Sequence, residues 1–562
     1  MKKLLLFLFI ITSLSSFSQV EDAWVFLKDK PKSSTFLSNP LTMLSQRALD
    51  RRSENFVPLD EKDVPVDEDY LDDLKSDVNL TVLGKSKWLN AVHIQAEIND
   101  INTLVAQYNF INHIEFANKS LNNSGKKRVK SIVSNHQNKF KGVKTNFNYG
   151  DADNQIKMLK GDYLHQEGLT GEGQIIAIID AGFPNVNTLS AFQRIRDNNQ
   201  ILGGYNFADR NENFYSRDSH GTHVLSSIAG YIENEFVGTA PDAKFYLFIS
   251  EIAETETVLE ETLWVEAAER ADSLGVNVIN TSLGYTTYDN PNHSHSYADM
   301  DGKTTFISRG AEIGASRGML LVNSVGNSGN SSWKYMGAPA DAASVISVGA
   351  VDASGNISSF SSFGPTVGNR IKPEILAQGT SSTIINYTSG EVATANGTSF
   401  SSPIMAGLIA CLNQNLPLFV KSPSKKIADN YSEPSFIDNL KQSVYKSANR
   451  YNNPLDQYGY GIPNFEIAQQ IYFSLYPSSV DDNFLSNLNI FPNPIITSFN
   501  LDNQNIDINE ISIQIYTVLG EKVFQIDKLL SNKIDVSTLD KGIYLLKIQN
   551  GNQQKTLKLI KQ

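Results

Sequence analysis

The chain has 562 residues, too many for one ordinary core, so two to four domains are expected. Hydrophobic residues make up 41% and charged residues 19%, the balance of a globular protein rather than a disordered one. A formal net charge of −12 argues against nucleic acid as the main partner.

Residues 1–18 carry Lys2 and Lys3, the apolar run LLLFLFII and then Ser13, Ser15, Ser16 and Ser18, which is the layout of a signal peptide. The run is too short for a stable membrane span, and no later stretch reaches about 18 uninterrupted apolar residues, so no transmembrane segment is expected. Cys411 is the single cysteine and lies in the apolar run IMAGLIACL, where a buried structural thiol is expected rather than a nucleophile.

Residues 20–124 mix short apolar strands, AWVFL and LNAVHIQAE, with the helical stretch INDINTLVAQYNF. Its Ile101, Leu104, Val105 and Tyr108 fall at helical spacing, and the segment reads as a small α+β unit. Residues 125–146 are polar and strongly basic and read as a linker.

From 147 to 475 the runs IIAIID, KFYLFIS, VNVINTSLG, MLLVNSVGN and SVISVGAV predict strands covered on both faces. Between them TLWVEAAERADSLG and FISRGAEIGASRG predict helices that end at glycine caps. This alternation predicts an α/β fold with a mainly parallel sheet and helices on both faces. Residues 480–562 are short alternating strands with turn signals, among them Asn550-Gly551, and predict a separate β-sandwich.

Three segments carry an acid, a base and a nucleophile. Asp180 ends the run IIAIID, where an α/β sheet places functional residues, and a carboxylate there can orient an imidazole. His220 opens the apolar helical run of SHGTHVLSSIAG, with Gly221 leaving room for close backbone approach. Ser399 stands in GTSFSSP ahead of an apolar helix, with Pro403 expected in the first helical turn. A hydroxyl at a helix N-terminus lies where backbone N–H groups favour an oxyanion. Asn327, in a glycine-flanked turn after MLLV, can supply a further amide donor. Each residue taken singly has an ordinary structural reading: a turn aspartate, a structural histidine, a capping serine.

The order Asp, His, Ser together with IIDAGF, HGTHV, INTSLG, SVGNSG, SVGAVD, SSFSSFGP and GTSFSSP resembles the subtilisin-like serine peptidases, over residues 150–470. The resemblance implies a serine endopeptidase with Asp180, His220 and Ser399 as triad and Asn327 in the oxyanion hole. It also implies that Ser282, Leu283 and Gly284 pair with the substrate backbone, and that Gly337 floors a pocket for large apolar side chains. DAGF and GTSFSSP depart slightly from the family's usual motifs, which bears on rate and specificity. No cofactor is implied; a structural calcium ion is compatible with the family, with no place assigned to it.

An insertion, YTTYDNPNHSHSYADMDGKTT, follows Gly284 and is expected near the substrate cleft. Its His293 and His295, and its Asp299 and Asp301, are each too few for a metal and read as solvated loop residues. Residues 20–146 resemble a subtilase propeptide with its cleavage point in 125–146. Residues 480–562, with IFPNP, IQIYTVLGEKV and DKGIYLLKI, are similar to the sorting domains of the Bacteroidetes type IX secretion pathway. Protein substrates and the secretion machinery are the implied partners, and a secreted or surface-attached product is expected. The rival expectation is a catalytically silent surface adhesin on the same fold.

Overall fold

A computed structural model describes residues 19–122, 147–414, 436–475, 488–502, 511–517, 521–550 and 553–562. The expected signal peptide and basic linker lie outside the described residues. The boundary between two compact units falls after Leu475.

At the N-terminus β1 (Val20–Leu27), β2 (Thr81–Ser86), β3 (Ala91–Glu97) and β4 (Ile111–Phe116) form an antiparallel sheet in the order β2-β3-β1-β4. Alternation along the strands gives it two apolar faces. One face, with Val25, Val92 and Ile94, is covered by helices Glu68–Ser76 and Ile98–Gln107. The second helix buries Ile101 and Leu104 as its spacing predicts. Val105 is 48% exposed and Tyr108 falls on the C-cap, because the helix stops at Gln107 and its apolar stripe is narrow. The opposite face sends Trp24 and Phe26, and the turn between β2 and β3 sends Trp88, into a core shared with the following region.

That region is built on β5 (Ile175–Asp180), β6 (Ile201–Asn206), the small pair β7 (Tyr231–Ile232) and β8 (Phe236–Val237), β9 (Lys244–Ile249), β10 (Val278–Thr281), β11 (Leu320–Ser324), β12 (Ile346–Val351) and β13 (Ile375–Gln378). All but the small pair join one seven-stranded sheet, β13-β12-β11-β10-β5-β9-β6, in which every neighbouring pair is parallel. The five apolar runs of the sequence are β5, β9, β10, β11 and β12. Strand β6 escapes that pattern because Gly203 and Gly204 interrupt its apolar run at the sheet edge; β13, ILAQ, is not among the expected runs either.

Ile175, Ala177 and Ile179 share a core with helices Leu259–Leu274 and Phe306–Ser316. Their neighbours Ile176 and Ile178 therefore face the other side, where helices His220–Ala229 and Thr398–Asn413 lie against the sheet. The first of these four helices ends at Gly275 with φ 82°, the left-handed cap its sequence signals. Thr398–Asn413 is buried at every residue, which is why its sequence is apolar all round. Cys411 on it is buried and points its thiol at the Thr239 carbonyl, 3.3 Å away. A further hairpin joins β14 (Ser382–Ile385) to β15 (Val392–Ala395).

The C-terminal unit contains β16 (Asn489–Phe491), β17 (Ser498–Asp502), β18 (Ile511–Thr517), β19 (Lys522–Ile526), β20 (Lys533–Asp535), β21 (Gly542–Asn550) and β22 (Gln553–Lys561). They form two sheets, β16-β17-β20 and β19-β18-β21-β22, with Phe499, Ile513, Ile515, Ile534, Leu546 and Ile548 in one core between them. Strands β21 and β22 pair from Asn550↔Gln553 onward, so Asn550 is the last residue of β21 and the connection is residues 551–552, one place later than the turn at Asn550-Gly551 that the sequence suggests. Among the described residues no helix is long and apolar enough to cross a membrane.

Candidate active site

The chain leaves β5 for β6 and β9 on one side and returns to β10 on the other, so β5 lies at a switch point of the sheet. A crevice opens beyond the carboxyl ends of strands at such a point. Asp180, the last residue of β5, is fully buried there. Its Oδ1 accepts the Ala181 N–H at 2.8 Å and lies 2.7 Å from His220 Nδ1, while Oδ2 is buried without a hydrogen-bond partner.

His220 is the first residue of its helix, and its N–H donates to Asp218 Oδ1 at 2.8 Å. Gly221 makes the approach between helix and strand feasible, since a Cβ there would collide with the carbonyl oxygen of Gly182. Burial lowers the His220 pKa. The charge of Asp180 and its hydrogen bond, with a smaller effect of Asp218, outweigh burial, so the imidazole titrates above its ordinary 6.5. His223 accepts the Tyr387 N–H at 3.4 Å and packs edge-on against that ring, a structural placement.

Ser399 is the second residue of helix Thr398–Asn413 and is nearly buried. Gly397 precedes the helix with φ 151°, a conformation that favours glycine. The helix starts at Thr398, so Pro403 is its sixth residue and sits in the second turn, not the first turn that the sequence suggests. Its missing N–H leaves the Ser399 carbonyl without an intrahelical donor. Ser282 Oγ donates to that carbonyl at 2.9 Å. Asn280 Nδ2 in turn donates to Ser282 Oγ at 3.3 Å, and Ser402 Oγ to Asn280 Oδ1 at 2.9 Å. The Ser399 hydroxyl donates to the Ser282 carbonyl at 3.3 Å rather than to His220, so a rotation about its Cα–Cβ bond is needed to face the imidazole.

Asn327 stands exposed after β11. Its Oδ1 accepts both the Thr398 N–H at 2.8 Å and the Thr398 hydroxyl at 2.9 Å, which orients the amide and leaves its NH₂ as a donor. Ser282, Leu283 and Gly284 continue from β10, with Gly284 exposed and the Leu283 carbonyl held by Asn323 Nδ2 at 3.0 Å. Tyr285 then pairs with Ala338 through two backbone hydrogen bonds, of 2.8 and 3.1 Å. This brings Gly337 against Tyr285 and Thr286, where a Cβ would be 3.2 Å from the Tyr285 carbonyl oxygen.

Asn280, Ser402 and Asn323 escaped the sequence reading. The available signal was an asparagine inside each of two otherwise apolar buried strands, a group that must find a partner. Also missed is a patch of carboxylates beside the cleft: Glu251, which accepts the Tyr285 hydroxyl at 2.7 Å, with Glu256 and Glu260. Burial, with repulsion from Asp289, raises Glu256 to about 6; burial, with repulsion from Glu256 and Asp289, raises Glu260 to about 7.

The insertion corrects the expectation of solvated residues. His293 and His295 are both buried, because the loop folds back under the N-terminal sheet. His293 Nε2 meets Glu21 of β1, and His295 joins Glu261 at 2.8 Å to Lys119 at 2.8 Å. Asp299 is spent on capping Ser296 and pairing with Lys119, and Asp301 on the Lys303 and Thr304 turn.

The N-terminal sheet is anchored to the helix Leu259–Leu274 by Trp24 Nε1 on Thr262 Oγ1 at 2.9 Å and by Ser86 on Glu269 at 2.6 Å. Buried Arg51 and Arg52 both pair with Asp272 of the same helix.

Comparison with known proteins places three segments of the chain in known families. Residues 171–461 match the Subtilase family, residues 22–134 the Peptidase S8 propeptide domain of Bacteroidota, and residues 489–562 the secretion system C-terminal sorting domain. Subtilisin DY of Bacillus licheniformis is 29% identical over 317 residues, covering 56% of this chain and 97% of that protein. Subtilisin BL of Lederbergia lenta is 30% identical over 264 residues, covering 47% and 84%. The sorting domain marks the product for export, outside the cell or on its surface. The chain belongs to the subtilase family and is a secreted serine endopeptidase.

Proposed function

We propose that Asp180, His220 and Ser399 are the catalytic triad. The contact that carries this reading is His220 Nδ1 to Asp180 Oδ1 at 2.7 Å, at the sheet's switch point and beside the helix that presents Ser399. Asp180 holds the ring so that Nε2 faces the cleft as a base and stabilises the imidazolium. Ser399 Oγ attacks the scissile carbonyl carbon and gives its proton to His220. The oxyanion then accepts from the Asn327 NH₂ and the Ser399 N–H. His220 returns the proton to the leaving amine, and water releases the acyl group by the same steps in reverse.

Ser282 to Gly284 carry the substrate backbone as an added strand, and Gly337 floors the pocket for a large apolar side chain. Proteins at large are the substrates. Residues 20–124 act as the inhibitory unit of a precursor, residues 125–146 hold the processing point, 147–475 form the catalytic domain and 480–562 the sorting unit.

The test is labelling with a fluorophosphonate probe. Secreted, processed wild-type protein should label and Ser399→Ala should not. An unreactive wild type would favour the silent adhesin, and equal labelling of both would remove Ser399 from the mechanism.

A further inference from the structure

We propose that Glu21, Asp22 and His293 form a site for one zinc-type divalent cation that clasps the N-terminal unit to the insertion of the catalytic region. One ligand atom from each residue lies within 4.8 Å of the others. The Glu21 side chain is fully buried, that of His293 is 6% exposed and that of Asp22 14%.

The polar groups at this spot are incompletely satisfied. Glu21 Oε1 accepts the Asp22 N–H at 3.0 Å and meets His293 Nε2, but Glu21 Oε2 is buried without any hydrogen-bond partner. A buried carboxylate oxygen left bare is costly.

His293 Nε2 is caught between opposed neighbours. The Asn292 N–H donates to Asn290 Oδ1 at 3.1 Å, which turns the Asn290 NH₂ toward His293 Nε2 at 3.0 Å. A protonated Nε2 serves Glu21 and confronts the amide donor; an unprotonated one serves Asn290 and confronts the carboxylate. Neither form satisfies both. A cation between ring and carboxylate engages the Nε2 lone pair and the spare Glu21 oxygen, and requires half-buried Asn290 to turn to solvent and exchange its bond from the Asn292 N–H for water.

The surroundings fit the same reading. Asp22 is oriented by His93 Nε2 at 3.1 Å on one oxygen and Gln95 Nε2 at 3.2 Å on the other, and His93 is itself held by Thr262 at 2.9 Å. Ligands supported in this way are a feature of built metal sites. One imidazole nitrogen with two carboxylates suits zinc and its neighbours, whereas calcium prefers six to eight oxygens. Three protein ligands leave a fourth position for water.

Two ligands come from β1 and one from the insertion, so the ion binds both bodies only while they are docked. Its effect on release of the N-terminal unit rests on the propeptide reading; the binding itself does not.

The experiment uses full-length Ser399→Ala, stripped with EDTA and titrated calorimetrically with ZnCl₂. The parent should bind one equivalent and its Tm should rise with zinc. Glu21→Gln and His293→Asn should each bind at least tenfold more weakly while keeping a cooperative melt, and the same concentration of CaCl₂ should not replace zinc. Absence of stoichiometric binding by the parent overturns the proposal, as does undiminished binding by both variants. A parent that ignores zinc while Glu21→Gln lowers its Tm shows a plain ion pair and overturns it too. The readout needs no protease activity, so failure of the clasp and failure of the triad are distinguishable.

Discussion

The contact between Asp180 and His220 has a measurable consequence at the residue scale. His220 must be neutral to take the Ser399 proton, and its pKa lies above 6.5, so kcat/KM should climb with pH through a midpoint above that value. In Asp180→Asn the charge that outweighs burial is gone. The midpoint should fall, and the plateau should drop by about 10⁴-fold because the imidazole loses its orientation. A pH profile of both proteins checks this; an unmoved midpoint would detach Asp180 from His220. The sign for stability is opposite, since a raised histidine pKa stabilises the fold at pH below the unfolded value and that gain fades as pH rises through the folded one. Asp180, His220, Ser399 and Asn327 stood out in the sequence because each is a particular functional group at a particular kind of chain turn. The chain of Ser402, Asn280 and Ser282 was not, because hydrogen bonds between distant segments leave no periodic trace.

At the scale of elements, helix Gln46–Glu54 (QRALDRRSE) turns charge inward: Arg51 and Arg52 are buried against Asp272, with Arg52 also 2.6 Å from Asp63. Burial raises the Asp272 pKa, and the two guanidiniums together more than reverse it, leaving a carboxylate held below its ordinary range. Asp272→Asn keeps the shape but strands two buried cations, and should destabilise docking of the N-terminal unit by about 3–5 kcal/mol. Urea denaturation of full-length Ser399→Ala with and without this change measures it; a loss under about 1 kcal/mol would mean that solvent screens the cluster. The strands β5, β9, β10, β11 and β12 were legible from their buried runs, whereas Pro403 was misplaced by a turn because only the folded chain shows where the helix begins.

At the scale of the whole molecule, the C-terminal unit has its own core of Phe499, Ile513, Ile515, Leu546 and others. A domain with its own core folds independently. A chain ending at Leu475 should therefore keep its reactivity toward the serine probe once its N-terminal unit has been cleaved and removed, while disappearing from the culture medium and cell surface because the sorting domain is gone. Immunoblots of fractionated cells with probe labelling check both halves; loss of labelling by a soluble, processed truncated protein would contradict the independence of the units.

The sequence by itself determined the chemistry, the order of the domains and the class of each core, because these depend on residue type and on spacing along the chain. Only the tertiary structure decided that His293 and His295 leave solvent to meet Glu21 and Glu261, and that Arg51 and Arg52 turn inward. The physical reason is common to both. A polar side chain is buried when a partner far away in sequence compensates its desolvation, and that partner is brought near only by the fold.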